Sequence, residues 1–176
     1  MQDRSLYSDD DTSSPTVSVT SILTVAAIAS GEKRYVATID VPGAYLNAEL
    51  EPGKEILVRI NSLEAAILVN IDSRFEIGLL ANGDCIVKLN KALYGLVESA
   101  LLWHKHITKT LNDLGFLQNP HDQCIYNLMR NGHQCTVAMH VDDLFISSCD
   151  KDNLIYLHEG LCKAYGPMDI HHGPKI

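Results

Sequence analysis

The sequence predicts an α+β fold of the split-βαβ type, an antiparallel sheet with helices packed on one face. Three observations predict it. Consecutive β-rich runs in the second half are joined by turn signals, Asn131-Gly132 between one pair and Asp142-Asp143 between the next. Two stretches with apolar residues at intervals of three and four, about 96–114 and 151–165, flank those hairpins. The resulting order is helix, strand, strands, helix, hairpin, second hairpin, helix, which groups antiparallel strands together and leaves the helices to cover them.

Along the chain, residues 1–14 are polar and acidic and read as a leader, with the folded domain expected over 15–176. A helix over about 16–31 opens at Ser14-Pro15 and closes at Gly31. Its run from Ile22 to Ala29 mimics the apolar core of a signal peptide. However, Asp3, Asp9, Asp10 and Asp11 stand where a basic segment belongs, and the run is too short to span a bilayer. It is read as a buried helix. A strand over 34–41 delivers Asp40 at its end, and Pro42-Gly43 breaks it before Ala44-Tyr45-Leu46.

Residues 54–60 alternate as a strand, a short helix follows at 62–70, and Asn82-Gly83-Asp84 turns the chain into a strand at 85–90. The long helix at 96–114 gathers Leu96, Ala100, Trp103, Ile107, Leu111 and Leu114 into one stripe, closed by Gly115. Strands at 124–129 and 134–141 flank Asn131-Gly132. A two-residue loop there pairs Cys135 with Leu128 and sets Cys124 opposite Met139, so no Cys124–Cys135 disulfide is expected. The return strand runs 144–148. The helix at 151–165 carries Leu154, Leu157, Leu161 and Ala164 until Gly166-Pro167.

A chain of 176 residues suits one domain, and no internal repeat is visible. Its net charge of −8 opposes an unaided grip on nucleic acid, which needs a basic face to displace phosphate counterions. The five cysteines are odd in number and lack paired spacing. They read as reduced thiols of an intracellular protein, not a disulfide frame or a zinc site. His104 and His106 do not share a helix face, and neither they nor His171-His172 are assigned to a metal.

Two places carry acidic residues against the trend of their surroundings. Asp142-Asp143 interrupts an apolar run, and Asp40 ends the run Tyr35-Val36-Ala37-Thr38-Ile39. Carboxylates converging from separate strands are what a two-metal phosphoryl-transfer site requires. Taken singly, each also fits a capped turn or a solvated hairpin tip.

Four motifs in order resemble copia-type retrotransposon reverse transcriptases. Thr38-Ile39-Asp40-Val41-Pro42-Gly43-Ala44-Tyr45-Leu46-Asn47-Ala48-Glu49-Leu50 resembles the first catalytic motif. Val87-Lys88-Leu89-Asn90-Lys91-Ala92-Leu93-Tyr94-Gly95-Leu96, continuing to Ser99 and Trp103, resembles the next. Leu114-Gly115-Phe116 with Asp122 follows, and His140-Val141-Asp142-Asp143 stands where the family carries Tyr-Val-Asp-Asp.

The resemblance implies a polymerase palm with incomplete fingers and no thumb, performing RNA-directed DNA synthesis. In such a palm, catalytic Asp40, Asp142 and Asp143 hold two Mg²⁺ ions, with Mn²⁺ as an alternative and Val41 within the metal-binding set. One ion would lower the pKa of the primer 3′-hydroxyl and the other would neutralise the triphosphate and leaving pyrophosphate. Gly43, Ala44, Tyr45, Tyr94 and Gly95 would bind the nucleotide. The backbone N–H groups of Val41 through Ala44, Pro42 excepted, would hold the triphosphate. The Tyr45 ring would exclude a ribose 2′-hydroxyl. Trp103 reads as core, and His140 as a titratable replacement for the usual tyrosine.

The partners implied are an RNA or DNA template with a DNA primer, dNTPs, and further polyprotein parts (fingers, thumb, RNase H, integrase), in the cytoplasm within a virus-like particle or in the nucleus. No membrane partner is expected. Three local departures stand out: His140; Pro42 where Lys is usual; and Val97-Glu98-Ser99-Ala100-Leu101 in place of Lys-Gln-Ser-Pro-Arg. The last removes two cations and adds an anion, which should weaken nucleotide or template affinity unless other groups compensate. The chain is also expected to stop before the primer grip and thumb, so the isolated chain should have little or no polymerase activity. The alternatives are a non-catalytic retrotransposon-derived remnant or binding module, and another palm-fold enzyme such as a nucleotide cyclase.

Overall fold

A computed structural model describes residues 13–174, so the acidic leader up to residue 12 lies outside the described residues. Helix α1 (Val19–Gly31) leads into β1 (Tyr35–Asp40) and a single turn, α2 (Ala44–Asn47). An excursion follows: β2 (Leu57–Ile60), α3 (Ser62–Ile71), a 3₁₀ turn (Ser73–Gly78) and β3 (Cys85–Lys88). The chain returns through α4 (Ser99–Asp113), β4 (Leu117–Gln118), β5 (Ile125–Arg130), β6 (His133–His140), β7 (Asp143–Ser148), α5 (Lys151–Tyr165) and β8 (Ile170–His172).

Six strands form one sheet in the order β4-β5-β6-β7-β1-β8, every neighbouring pair antiparallel, while β2 and β3 pair separately. In chain order β1, α4, β6, β7, α5 and β8 make the β-α-β-β-α-β unit of the split-βαβ class. The α+β expectation therefore holds. On one sheet face Ala37, Ile39, Val137, Met139, Leu144 and Ile146 alternate inward. They form a single cluster with Trp103, Ile107 and Leu111 of α4 and Leu154, Leu157 and Leu161 of α5. Hydroxyl contacts seam these layers: Thr108 with the Tyr126 hydroxyl at 2.7 Å, and Thr110 with that of Tyr165 at 2.6 Å.

The expectation that all helices lie on one face is corrected. Helix α1 crosses the opposite face, packing on β6 and β7, and with Arg34, Asn127 and Thr136 it encloses a cavity of about 250 Å³. The physical reason is that this second face also needs cover, since Val36, Thr136, Ala138 and Ser147 are buried there. Nor is α1 a buried helix. Val25 and Ala29 face the sheet, while Val19 and Leu23 face solvent. It starts later than Ser14-Pro15 suggests because Ser18 caps it, accepting from the Ser21 N–H at 3.0 Å while its own N–H donates to Asp122 Oδ2 at 3.1 Å. Among the described residues no helix is long and apolar enough to cross a membrane.

The first hairpin forms as expected, with Arg130 opposite His133 and Leu128 opposite Cys135. Asn131 and Gly132 take φ of 56° and 74°, the type I′ pattern. Met139 N–H donates to the Cys124 carbonyl at 2.8 Å, and all five cysteines are free. Burial raises the Cys124 thiol to about 11 and the Cys135 thiol to about 12, so both stay protonated at neutral pH.

Glu98, the anion added in the departure at residues 97–101, has a side chain only 5 % exposed and ion-paired with Lys54. Lys54, on the loop before β2, is a compensating cation for this carboxylate. Removing that partner leaves a buried, uncompensated charge. Lys54→Met is expected to lower unfolding stability by about 2 kcal/mol, discounted for the partial exposure of Lys54. Glu98→Gln in the same chain should recover most of the loss. Urea titrations of the wild-type chain and both variants check this, and equal losses in the single and double variants would refute the pairing.

Candidate active site

The register of the central strands builds the site. Asp40, the last residue of β1, lies directly opposite Asp143, the first of β7, and Asp143 lies opposite His140 on its other side. Side chains of opposed residues project from one face, so Asp40, Asp143 and His140 form a row across three strands, all three exposed. The turn was expected at Asp142-Asp143. It lies one residue earlier, because the His140–Asp143 pair makes Val141 and Asp142 the two-residue loop. Val141 takes φ of 58°, and the Val41 N–H donates to the Asp142 carbonyl at 3.0 Å, binding the turn to the end of β1.

That bond corrects the expected role of Val41. Its N–H is already engaged, and its side chain is buried, so only its carbonyl remains for a cation. Beyond it, Gly43 at φ 60° opens α2, and Asn47 Nδ2 donates to the Pro42 and Gly43 carbonyls, each at 3.3 Å. Only glycine enters that left-handed conformation at little cost. Two bonds then fold the next motif back onto this turn: Leu50 N–H to the Asn90 carbonyl at 3.2 Å, and Ala92 N–H to the Ala48 carbonyl at 2.8 Å. They bring Tyr94 against Tyr45, ring centroids 4.7 Å apart. Gly95 follows at φ 93°, where a turn and not a close approach demands glycine. Ser99 Oγ fixes this segment by donating to the Leu93 carbonyl at 2.6 Å.

Tyr45 connects the two halves electrostatically. Burial raises the pKa of its hydroxyl, and the Asp142 carboxylate and Tyr94 raise it further. An Asp142→Asn substitution removes one of these causes and leaves the largest. Tyr45 is therefore expected to titrate at lower pH in that variant, still above an ordinary tyrosine. Carbon-13 NMR of labelled tyrosines measures this directly, and an unmoved Tyr45 titration would separate Asp142 from the ring.

Trp103 is core, as expected, but its indole Nε1–H also donates to the Val141 carbonyl at 2.7 Å. Asp169, not singled out from the sequence, and His171, not assigned to a metal there, line a cavity of about 320 Å³ beside Asp40. They arrive through β8, where His171 lies opposite Thr38. His172 lies opposite Ala37, so the two adjacent histidines project from opposite faces and cannot chelate together. A three-residue edge strand leaves too short a pattern for sequence periodicity to reveal.

Among the described residues no three His, Cys, Asp or Glu side chains are gathered to hold a metal ion. The donor chemistry nevertheless fits a hard divalent cation, with carboxylates of Asp40 and Asp143 projecting from one face and Asp142 in the loop between. Mg²⁺ commonly binds through one or two carboxylates plus substrate phosphates and retained waters, and needs no complete protein cage.

A reverse transcriptase (RNA-dependent DNA polymerase) family profile matches residues 3–171. The chain therefore belongs to the reverse transcriptase family, of the copia type that the four motifs predict. It is 26% identical over 168 residues to the retrovirus-related Pol polyprotein from transposon TNT 1-94 of Nicotiana tabacum, a match covering 95% of this chain and 12% of that protein. It is 28% identical over 89 residues to a Ty5-1 transposon protein of Saccharomyces cerevisiae, covering 51% of this chain and 29% of the relative. The chain thus spans well under half the length of either relative.

Proposed function

We propose that this chain is the palm of an RNA-directed DNA polymerase, extending a DNA primer along an RNA or DNA template with dNTPs. The observation that carries the reading is the register that sets Asp40 opposite Asp143, with Asp142 in the adjoining loop and tied through its carbonyl to the Val41 N–H. Asp40 and Asp142 are the carboxylates that would hold two Mg²⁺ or Mn²⁺ ions, with Asp143 and the Val41 carbonyl supporting them. Ions bound there would lower the pKa of the primer 3′-hydroxyl and neutralise the phosphates.

The protein's own groups then place the nucleotide. The N–H groups of Gly43 and Ala44, at the start of α2, face the triphosphate. Tyr45, propped by Tyr94, lies under the sugar and rejects a 2′-hydroxyl. His140 stands exposed beside Asp143, where it can stack on the primer end. With 14 Lys and Arg against 22 Asp and Glu, the chain leaves most of the phosphate grip to other parts of a longer polyprotein. The isolated chain is therefore a weak polymerase.

Calorimetric binding of dTTP and UTP in the presence of Mn²⁺ tests the assignment. The expected result is metal-dependent binding of dTTP in preference to UTP, with Tyr45→Ala erasing the preference. Nucleotide binding that ignores both the metal and Tyr45 would refute it.

A further inference from the structure

Val141 is the costliest backbone position in the site. It is β-branched, yet holds φ of 58°, a region that bulky L-residues rarely occupy and that a hairpin loop of this kind normally gives to glycine. Such a conformation persists only when its surroundings over-determine it. Two bonds do so here. The Val141 carbonyl accepts from Trp103 Nε1 at 2.7 Å, and the next carbonyl, that of Asp142, accepts from the Val41 N–H at 3.0 Å. Trp103 is itself immobile. It is 1 % exposed, with Tyr165 edge-on at 5.4 Å and His106 stacked at 6.1 Å.

We infer that Trp103 is a positioning residue. Its indole N–H latches the Val141–Asp142 loop in its left-handed form, which keeps the loop, and Asp142 with it, joined to β1 beside Asp40. Helix α4 carries this latch one turn beyond its start at Ser99, and the segment just before that start carries Tyr94 and Gly95. One rigid element therefore sets both the carboxylate loop and the aromatic floor. The catalytic importance of the latch rests on the palm reading above; the latch itself does not.

The test separates the two. Trp103→Phe keeps an aromatic side chain and removes the donor, and Val141→Gly removes the cost of positive φ. The readout is amide hydrogen exchange at Val41, whose N–H reports whether the Asp142 carbonyl is in place. Trp103→Phe is expected to speed exchange at Val41 roughly 5- to 10-fold, the size of one lost hydrogen bond, with the amides of Ile107 and Ile146 unchanged. Adding Val141→Gly should return Val41 to within about twofold of wild type, because the loop no longer needs holding.

Should Trp103→Phe fail to fold, a benzothienylalanine at position 103 keeps the indole volume without the N–H and carries the same expectation. Unchanged Val41 exchange, or acceleration shared with Ile107 and Ile146 and not rescued by Val141→Gly, would overturn the latch. Mn²⁺ affinity measured on the same proteins reports on the palm reading. If the wild-type chain binds no Mn²⁺ through Asp142, that reading fails while the exchange result still decides the latch.

Discussion

Asp142→Asn is expected to cut Mn²⁺-dependent dNTP incorporation on a primed template by about 10³-fold, the several kcal/mol that a metal-held carboxylate contributes. The melting temperature should move by no more than about 2 °C, since the substitution is isosteric in a half-buried hairpin loop. Asp40→Asn should match it. Asp143→Asn should cost only about 10-fold, because Asp143 begins the strand and supports the other two. The order of effects follows from Asp142 lying in the loop itself and Asp40 being joined to that loop through its neighbour Val41. Because the chain carries a net charge of −8, incorporation has to be measured at low salt with excess template. Equal activity in wild type and Asp142→Asn would remove the carboxylates from the chemistry.

Ile146→Ala is expected to be the most damaging of the simple core truncations, at about 3 kcal/mol of unfolding free energy. Ile146 is fully buried in β7, between Ala37 of β1 and Val137 of β6, and belongs to the cluster that includes Leu157 and Leu161 of α5. A cavity there lies under the strand that begins with Asp143, so loss of metal affinity should accompany loss of stability. Ile77→Ser makes the contrast: Ile77 is 97 % exposed, and the change should fall within about 0.5 kcal/mol. Denaturant titration of the two variants checks both values. A stability loss under about 1 kcal/mol for Ile146→Ala would mean that this sheet face is not the core.

Long elements with strong periodicity were legible in the sequence. Trp103, Ile107 and Leu111 recur on α4 and are all buried, and Asn131-Gly132 declared both its hairpin and the Leu128–Cys135 register. Elements made by tertiary contact were not legible. The three residues of β8 and the four of α2 are too few to show a period, and only pairing with β1 or the fold-back of the Tyr94 segment defines them. The position of α1 was misjudged because its apolar residues are spread around the helix, which marks neither the Val25 and Ala29 stripe that is covered nor the sheet face that covers it. Motif order singled out Asp40, Asp142 and Asp143, and the register sets Asp40 opposite Asp143. The one-residue shift of the second hairpin was not legible, because nothing in Val-Asp-Asp marks a valine as the residue with positive φ. The ion pair of Glu98 was not legible either, because its partner Lys54 lies far away in sequence.

The most direct measurement is a Mn²⁺ titration followed by carbon-13 NMR of aspartate carboxyl groups. Paramagnetic broadening is expected first at Asp40 and Asp142, then at Asp143, and in Asp40→Asn it should disappear from Asp142 and Asp143. Broadening spread evenly over surface carboxylates, or concentrated at Asp72 and Asp84, would contradict a metal-dependent palm.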